Sequence, residues 1–322
     1  MRKIIILFST FLFFSCEKKE LPVPRHAEGE SLIAQIDMGS DYKNQIWFSL
    51  GQNKVTYKNL KTDWDICFDA SSGGYHVLLN GSRAMRAYKT PYSSFAELTD
   101  TVGLGANGKA DMPSGNLDST AIGNWQLDNK VYLINRGYNE QGLHTGYYKL
   151  KITSVTTNQY RFEYGDVFDA KIYQGLVVKD DNYNFIGYSF SSHAQFKNVE
   201  PRKTEFDLCF TNYTHLFYDP LQYYQVTGVL CNTYKTRAMK ITNKSFSTIT
   251  LYDTLGRKFS SNRNVIGYEW KTFDLNTNLY SVDPNLSYIL MDHNGYYYKL
   301  HFVDFYTNSG VKGAPKFEFK RL

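Results

Sequence analysis

KTDWDICF at residues 61–68 returns as KTEFDLCF at residues 203–210, identical at five of eight positions and conservatively changed at the other three. In an extended chain alternate residues face opposite ways. Trp64, Ile66 and Phe68 then share one face and Asp65, Cys67 and Asp69 the other; Phe206, Leu208 and Phe210 oppose Asp207 and Cys209 in the second copy. An aspartate kept in both copies beside a buried aromatic is expected to hydrogen-bond a neighbouring backbone turn rather than to catalyse.

The flanking segments repeat in the same order. Ile46-Trp-Phe-Ser49 corresponds to Ile186-Gly-Tyr-Ser189, Arg83-Ala-Met85 to Arg237-Ala-Met239, and Ile122-Gly-Asn-Trp125 to Ile266-Gly-Tyr-Glu-Trp270. Gly146-Tyr-Tyr-Lys-Leu150 returns as Gly295-Tyr-Tyr-Tyr-Lys-Leu300. Colinear matches of this kind imply a duplicated unit, with halves at residues 31–170 and 171–322. The halves either form separate domains or share one fused sheet; both arrangements satisfy the repeat.

The 27 Tyr and 22 Phe sit in short runs where apolar and polar residues alternate, as in Val131-Tyr-Leu-Ile, Tyr147-Tyr-Lys-Leu-Lys-Ile, Tyr160-Arg-Phe-Glu-Tyr and Lys316-Phe-Glu-Phe-Lys. This is the period of half-buried antiparallel strands, and no segment keeps a helical stripe. The expected fold is all-β, two related and mostly antiparallel β-sheet units.

Residues 1–16 carry Arg2 and Lys3, an apolar run from Ile4 to Phe14, then Ser15 and Cys16. The run is too short for a bilayer-spanning helix of roughly 20 residues and has the layout of a secretory signal. A small residue directly before the cysteine resembles the bacterial lipobox, so lipidation at Cys16 is expected. Residues 17–30, charged and punctuated by Pro22 and Pro24, read as a tether between the outer membrane, at its cell-surface or periplasmic face, and the folded body. The export signal makes disulfides chemically accessible, but Cys67, Cys209 and Cys231 are an odd number. Cys209 with Cys231 is the better pair, and three small buried thiols is the favoured reading.

The formal charge of +5 includes Arg2 and Lys3, and the cations are scattered, so no nucleic-acid partner is expected. Gly103-Leu-Gly105-Ala-Asn-Gly108 fits the GxGxxG dinucleotide-binding pattern, but Pro113 and Gly115 forbid the helix that must follow, and residues 100–120 read as a long flexible loop carrying Met112. No nucleophile–base arrangement stands out, so the protein is not expected to be an enzyme. The seven histidines form no paired metal pattern. His76 and His215 each lie just beyond the repeated strand, with Met85 and Met239 in the next segment. Each half could therefore offer a His/Met pair to haem iron, as cytochromes do.

FSLGQ at 48–52, Thr62-Asp-Trp-Asp-Ile-Cys-Phe68 and Val77-Leu-Leu-Asn-Gly81 resemble the haem-binding HmuY lipoproteins. So do Phe206-Asp-Leu-Cys-Phe-Thr-Asn-Tyr213, Val226-Thr-Gly-Val-Leu-Cys-Asn232 and Tyr298-Lys-Leu-His-Phe-Val-Asp-Phe305. The resemblance implies an outer-membrane lipoprotein that takes haem from host haem proteins and passes it to a TonB-dependent receptor. It also implies that two loop side chains, typically His and sometimes Met, hold the iron, one of them shortly after a Trp-containing strand. Here residues 126–135 and 271–287 contain neither, which leaves either other ligands or another cargo. The alternative function is a surface glycan-binding or adhesion module that uses the Tyr clusters at 147–148, 223–224 and 296–298.

Overall fold

The computed structural model describes residues 28–103, 107–196 and 199–322. The expected signal, Cys16 and most of the expected tether lie outside the described residues. Among these residues there are twenty strands and no α-helix. The strands are β1 (Leu32–Gln35), β2 (Asn44–Ser49), β3 (Lys54–Leu60), β4 (Ile66–Asp69), β5 (Val77–Leu79), β6 (Arg86–Lys89) and β7 (Tyr132–Asn135). They continue with β8 (Tyr147–Val155), β9 (Gln159–Asp166), β10 (Tyr173–Val178), β11 (Phe185–Ser189), β12 (Ala194–Phe196), β13 (Leu208–Tyr218) and β14 (Leu221–Cys231). The last six are β15 (Arg237–Thr242), β16 (Lys271–Asp274), β17 (Leu279–Val282), β18 (Leu286–Met291), β19 (Tyr297–Tyr306) and β20 (Lys312–Arg321). Every run singled out for its alternation falls on a strand, and all the strand pairs are antiparallel.

The strands build two sandwiches. In the first, sheet β12-β11-β4-β5 packs on sheet β10-β9-β8-β7-β6. Ile66 and Phe68 of β4 and Ile186 of β11 meet Tyr132, Ile134, Phe162 and Val177 of the facing sheet, all buried to 1% exposure or less. In the second, sheet β14-β13-β2-β3 packs on sheet β1-β20-β19-β18-β15. Its core sets Ile46, Phe48, Leu208, Phe210 and Val229 against Tyr288, Leu300, Phe302, Phe317 and Phe319.

The sandwiches cut across the 170/171 boundary by exchanging their leading hairpins. Strand β11, from the second half of the sequence, pairs with β4 of the first, Ile186 opposite Phe68. Strand β2, from the first half, pairs with β13 of the second, Trp47 opposite Cys209. The first sandwich is therefore continuous over roughly residues 61–203, whereas the second joins 204–322 to the N-terminal hairpin and to β1. Strand β1 pairs with β20, Leu32 opposite Phe319. Gly29 N donates to Arg321 O at 3.0 Å, so the end of the expected tether already belongs to a sheet edge.

The repeat is visible bond by bond. Asp65 N donates to Tyr188 O and Asp207 N to Phe48 O, each at 2.9 Å. The Asn80 amide donates to Lys61 O and Trp64 O, and the Asn232 amide to Lys203 O and Phe206 O. Each aspartate carboxylate accepts a backbone N–H just past the exchanged strand: Asp65 from Phe190 at 2.8 Å, Asp207 from Leu50 at 2.7 Å. The expected structural role of the repeated aspartate is what these bonds describe.

Two expectations need correction. Trp64 and Phe206 do not share a face with Ile66 and Leu208; they pack with Cys67 and with Cys209 respectively. The strands begin only at Ile66 and Leu208, so the preceding residues run through a turn that period-two alternation does not describe. The loop at 100–120 is also anchored where it is described. Lys109 bridges to Ala87, and the buried Asp111 carboxylate accepts from Leu79 N at 2.6 Å and Ala121 N at 2.7 Å. Cys67, Cys209 and Cys231, the three cysteines among the described residues, are free and buried. Leu208 opposes Cys231 while Cys209 opposes Leu230, so Cys209 and Cys231 point to opposite faces of their sheet and cannot join.

Outer faces of the two four-stranded sheets meet across a small cavity of about 100 Å³, lined by Trp47, Cys209 and Leu230 on one side and Trp64, Cys67 and Leu78 on the other. Trp64 Nε1 donates to Gln45 Oε1 at 2.9 Å, Thr214 Oγ1 to Gly81 O at 3.0 Å, and the Asn184 amide to Asn232 Oδ1 at 3.0 Å, tying the sandwiches together. Four sheets are thus stacked, with a polar-laced seam in the middle.

Candidate functional site

Strands β13 and β14 are each 11 residues long, but only Leu208–Phe210 of β13 pair with β2. Beyond that point the two strands project as a hairpin with one side unpaired by a neighbouring strand. Its period-two face carries Tyr213, His215 and Phe217 from β13. Opposite them on β14 lie Val226, across from Tyr213, and Tyr224, across from His215. A polar and aromatic face of this kind has to be covered by something, and the segment 260–282 does so.

That cover is held by close backbone approach. Gly267 exchanges hydrogen bonds with Val229 at 2.9 and 3.0 Å. A Cβ on Gly228 would stand 2.3 Å from Gly267 O, so only glycine lets the segment dock there. Docking brings the Tyr268 ring to 5.1 Å from the His215 ring, edge-on, while Phe217 meets His215 at 4.8 Å. Trp270, 1% exposed, stacks on Phe302 at 3.9 Å and starts the hairpin β16–β17. Phe273 and Tyr280 of that hairpin face each other at 4.8 Å.

Between the two hairpins lies a cleft of about 600 Å³, walled by Phe217, Tyr224, Val226, Tyr268, Phe273 and Tyr280. A second hollow of about 280 Å³, lined by His215, Tyr213 and Lys240, shares Tyr268 and Glu269 with it. Several of the aromatics are open to solvent: Tyr224 is 57% exposed and Phe273 42%. The cleft size falls in the range of small-molecule sites, and convergent aromatics with a few polar groups are what such sites use.

His215 is half-buried, and its Nδ1 is enclosed without a hydrogen-bond partner. Desolvation lowers its pKa below the ordinary imidazole value, offset in part by Glu269, so the ring is neutral at pH 7. A neutral imidazole is the form that ligates metal. The cleft also contains Lys271, 8% exposed, whose Nζ donates to Thr227 O. Burial pulls its ammonium down to about 7. Glu269, at the rim, is ion-paired with Lys240.

The other three expected ligands lie elsewhere. His76 stacks on Tyr75 at 4.0 Å, with Nδ1 3.5 Å from Asp69 Oδ2. Met85 is fully enclosed in the core of the first sandwich. Met239 packs with Ile249, Ile289 and Leu322. Core methionines of this kind fill space, so neither expected His/Met pair is assembled around an open cavity. No cluster of three or more His, Cys, Asp or Glu residues suited to a metal ion occurs among the described residues. Of the Tyr clusters, Tyr224 lines the cleft, Tyr148 stacks on Phe190 under the Arg136 guanidinium, and Tyr298 is buried in the second core.

The sequence reading found His215 but not Lys271, Tyr268, Phe273 or Tyr280. The signal was present: the segment after Trp270, where the resemblance placed an iron ligand, is the segment that forms the cleft wall.

A family model described as HmuY protein matches residues 41–319. Among solved structures, apo PinO from Porphyromonas gingivitis is similar at 9% identity, with 91% of this chain and 97% of that chain covered and a TM-score of 0.39. The apo HmuY analogue of Tannerella forsythia is similar at 9% identity, with 92% and 98% covered and a TM-score of 0.27. No curated protein matches the chain.

Proposed function

The chain belongs to the HmuY family, and from that premise we propose that it is a cell-envelope lipoprotein that captures a ligand without catalysis, with haem or a related porphyrin as the cargo. In this reading Cys16 carries the lipid anchor in the outer membrane, and the cargo comes from a host haem protein and passes to a TonB-dependent receptor. The observation that carries the reading is the placement of His215. A neutral imidazole stands between Tyr224, its cross-strand partner, and Tyr268, in the hollow of about 280 Å³ that adjoins an aromatic cleft of about 600 Å³.

A porphyrin is a flat apolar disc, and its transfer from water onto Tyr and Phe rings is favourable by roughly 25 cal/mol per Å² of apolar surface removed. The cleft offers such rings from two independently anchored hairpins. His215 would supply an iron ligand there, in place of the His or Met absent from 271–287. His76 then has no part in iron binding, and Met85 and Met239 remain core residues.

The test is a haem titration of the chain from residue 28 onward, followed in the visible spectrum. A saturable Soret shift that His215→Ala abolishes or displaces, and that His76→Ala leaves unchanged, is expected. A non-saturating spectrum indifferent to both substitutions would remove haem as the cargo.

A further inference from the structure

Lys271 is a buried cation for which no carboxylate ion pair is formed among the described residues. Its Nζ has one oxygen partner, the Thr227 carbonyl, and otherwise stands over ring faces: Trp270 at 4.6 Å, Phe305 at 5.0 Å and Tyr280 at 5.5 Å. Ring faces are electron-rich and stabilise a cation, but they do not replace the hydration an ammonium loses on burial. An ammonium has three N–H donors, so the arrangement leaves capacity for an anionic acceptor from the cleft.

The charged groups around Lys271 do not fill that role. Glu269, on the approach from Tyr268, is engaged by Lys240. The Tyr42 and Tyr268 phenols, which also line the cleft, have their pKa raised by burial and stay neutral near pH 7. Tyr280 presents its ring face, and Thr227 its carbonyl. A lysine kept only to tie β16 to β14 would serve as well without its charge.

We propose that Lys271 is the anion-recognition point of the cleft, so that the site selects flat aromatic molecules bearing a carboxylate and Lys271 pairs with that carboxylate. The proposal rests on reading this cleft as the ligand site. It adds a second determinant to His215: the imidazole addresses a metal, the ammonium an acid group, and the aromatic walls hold the plane between them. Haem, with its two propionate side chains, satisfies all three, but Lys271 recognition requires no iron.

That independence sets the experiment. Naphthalene-2-carboxylate and its neutral counterpart 2-naphthylmethanol are titrated into the chain from residue 28 onward, with binding read by calorimetry. Near pH 6.5 the acid is expected to bind at least about tenfold more tightly than the alcohol, a preference that disappears in Lys271→Met. In the unsubstituted protein the preference is also expected to shrink as pH rises towards about 8.5, because the free amine must then take up a proton to pair. Equal binding of the two probes, no binding of either, or a preference that survives Lys271→Met overturns the proposal. Acid preference without a saturable haem spectrum leaves Lys271 standing and removes the haem reading; haem binding through His215 with no acid preference does the reverse.

Discussion

Asp65 and Asp207 occupy the same position in the two copies and accept the same backbone bond, yet their surroundings have diverged. Asp65 is held by Arg83 at 2.7 Å and by Arg136 at 3.0 Å, all three side chains buried. Asp207 has no guanidinium, and its Oδ1 is enclosed without a partner. Burial, with Asp292 nearby, pushes its carboxyl up to about 7. Asp65→Asn leaves two buried guanidinium groups undercompensated and is expected to cost about 3–5 kcal/mol. Asp207→Asn keeps an acceptor for Leu50 N and is expected to cost less than about 1 kcal/mol at neutral pH. Urea denaturation of both variants checks the contrast, and equal losses would mean that the arginines do not matter to Asp65. The role of the repeated aspartate was legible in the sequence, because period and repetition both mark it. The arginine partners were not, since Arg136 reaches Asp65 only through the packing of β7 behind β4.

At the scale of the element, strand identity followed from alternation alone, whereas strand partnership did not. Ile46-Trp-Phe-Ser49 and Ile186-Gly-Tyr-Ser189 carry equivalent patterns, so either could pair with β4 or β13 as far as their own residues dictate. Sandwich cores decide between them. The pairing makes residues 61–203 a complete sandwich and strips residues 31–170 of β10, β11 and β12, whose Val177, Ile186 and Tyr188 are core residues. A fragment spanning 61–203 is expected to unfold cooperatively with resolved tertiary signals, and one spanning 31–170 to lack them. Near-ultraviolet circular dichroism during urea unfolding distinguishes the two, and cooperative behaviour of 31–170 would contradict the exchange. The cleft was illegible for a related reason: His215 and Tyr268 are distant in sequence and meet only because Gly228 admits the Gly267 backbone.

Across the whole molecule, the seam between sandwiches holds buried carboxyls near one arginine. Burial raises Asp111 to about 6 and Glu200 to about 7, and Arg263 restrains both. Their folded values lie above those of the unfolded chain, roughly 4 for free carboxyls. The folded state therefore holds their protons more tightly. The cost of ionising them in place is fully present above about pH 7 and is relieved as pH falls towards about 5. His144 and His215, lowered by burial, act in the opposite sense, but Asp207 adds a third carboxyl to the first group. Above pH 7 the depressed Lys271 adds stability as pH rises. Stability is thus expected to decline from about pH 5 to about pH 7, with a shallower slope in Glu200→Gln; urea midpoints across that range measure it, and a rising curve would refute the sign. The pairing of β1 with β20 carries a consequence of another kind. Leu32 of β1 finds its partner in Phe319 of β20, so the contact closes a loop spanning nearly all of the described residues. Such closure is among the slowest steps a topology can demand. The first sandwich, built from strands between β4 and β12, can assemble before that contact forms, whereas the sandwich that carries the cleft is complete only once β1 and β20 have met.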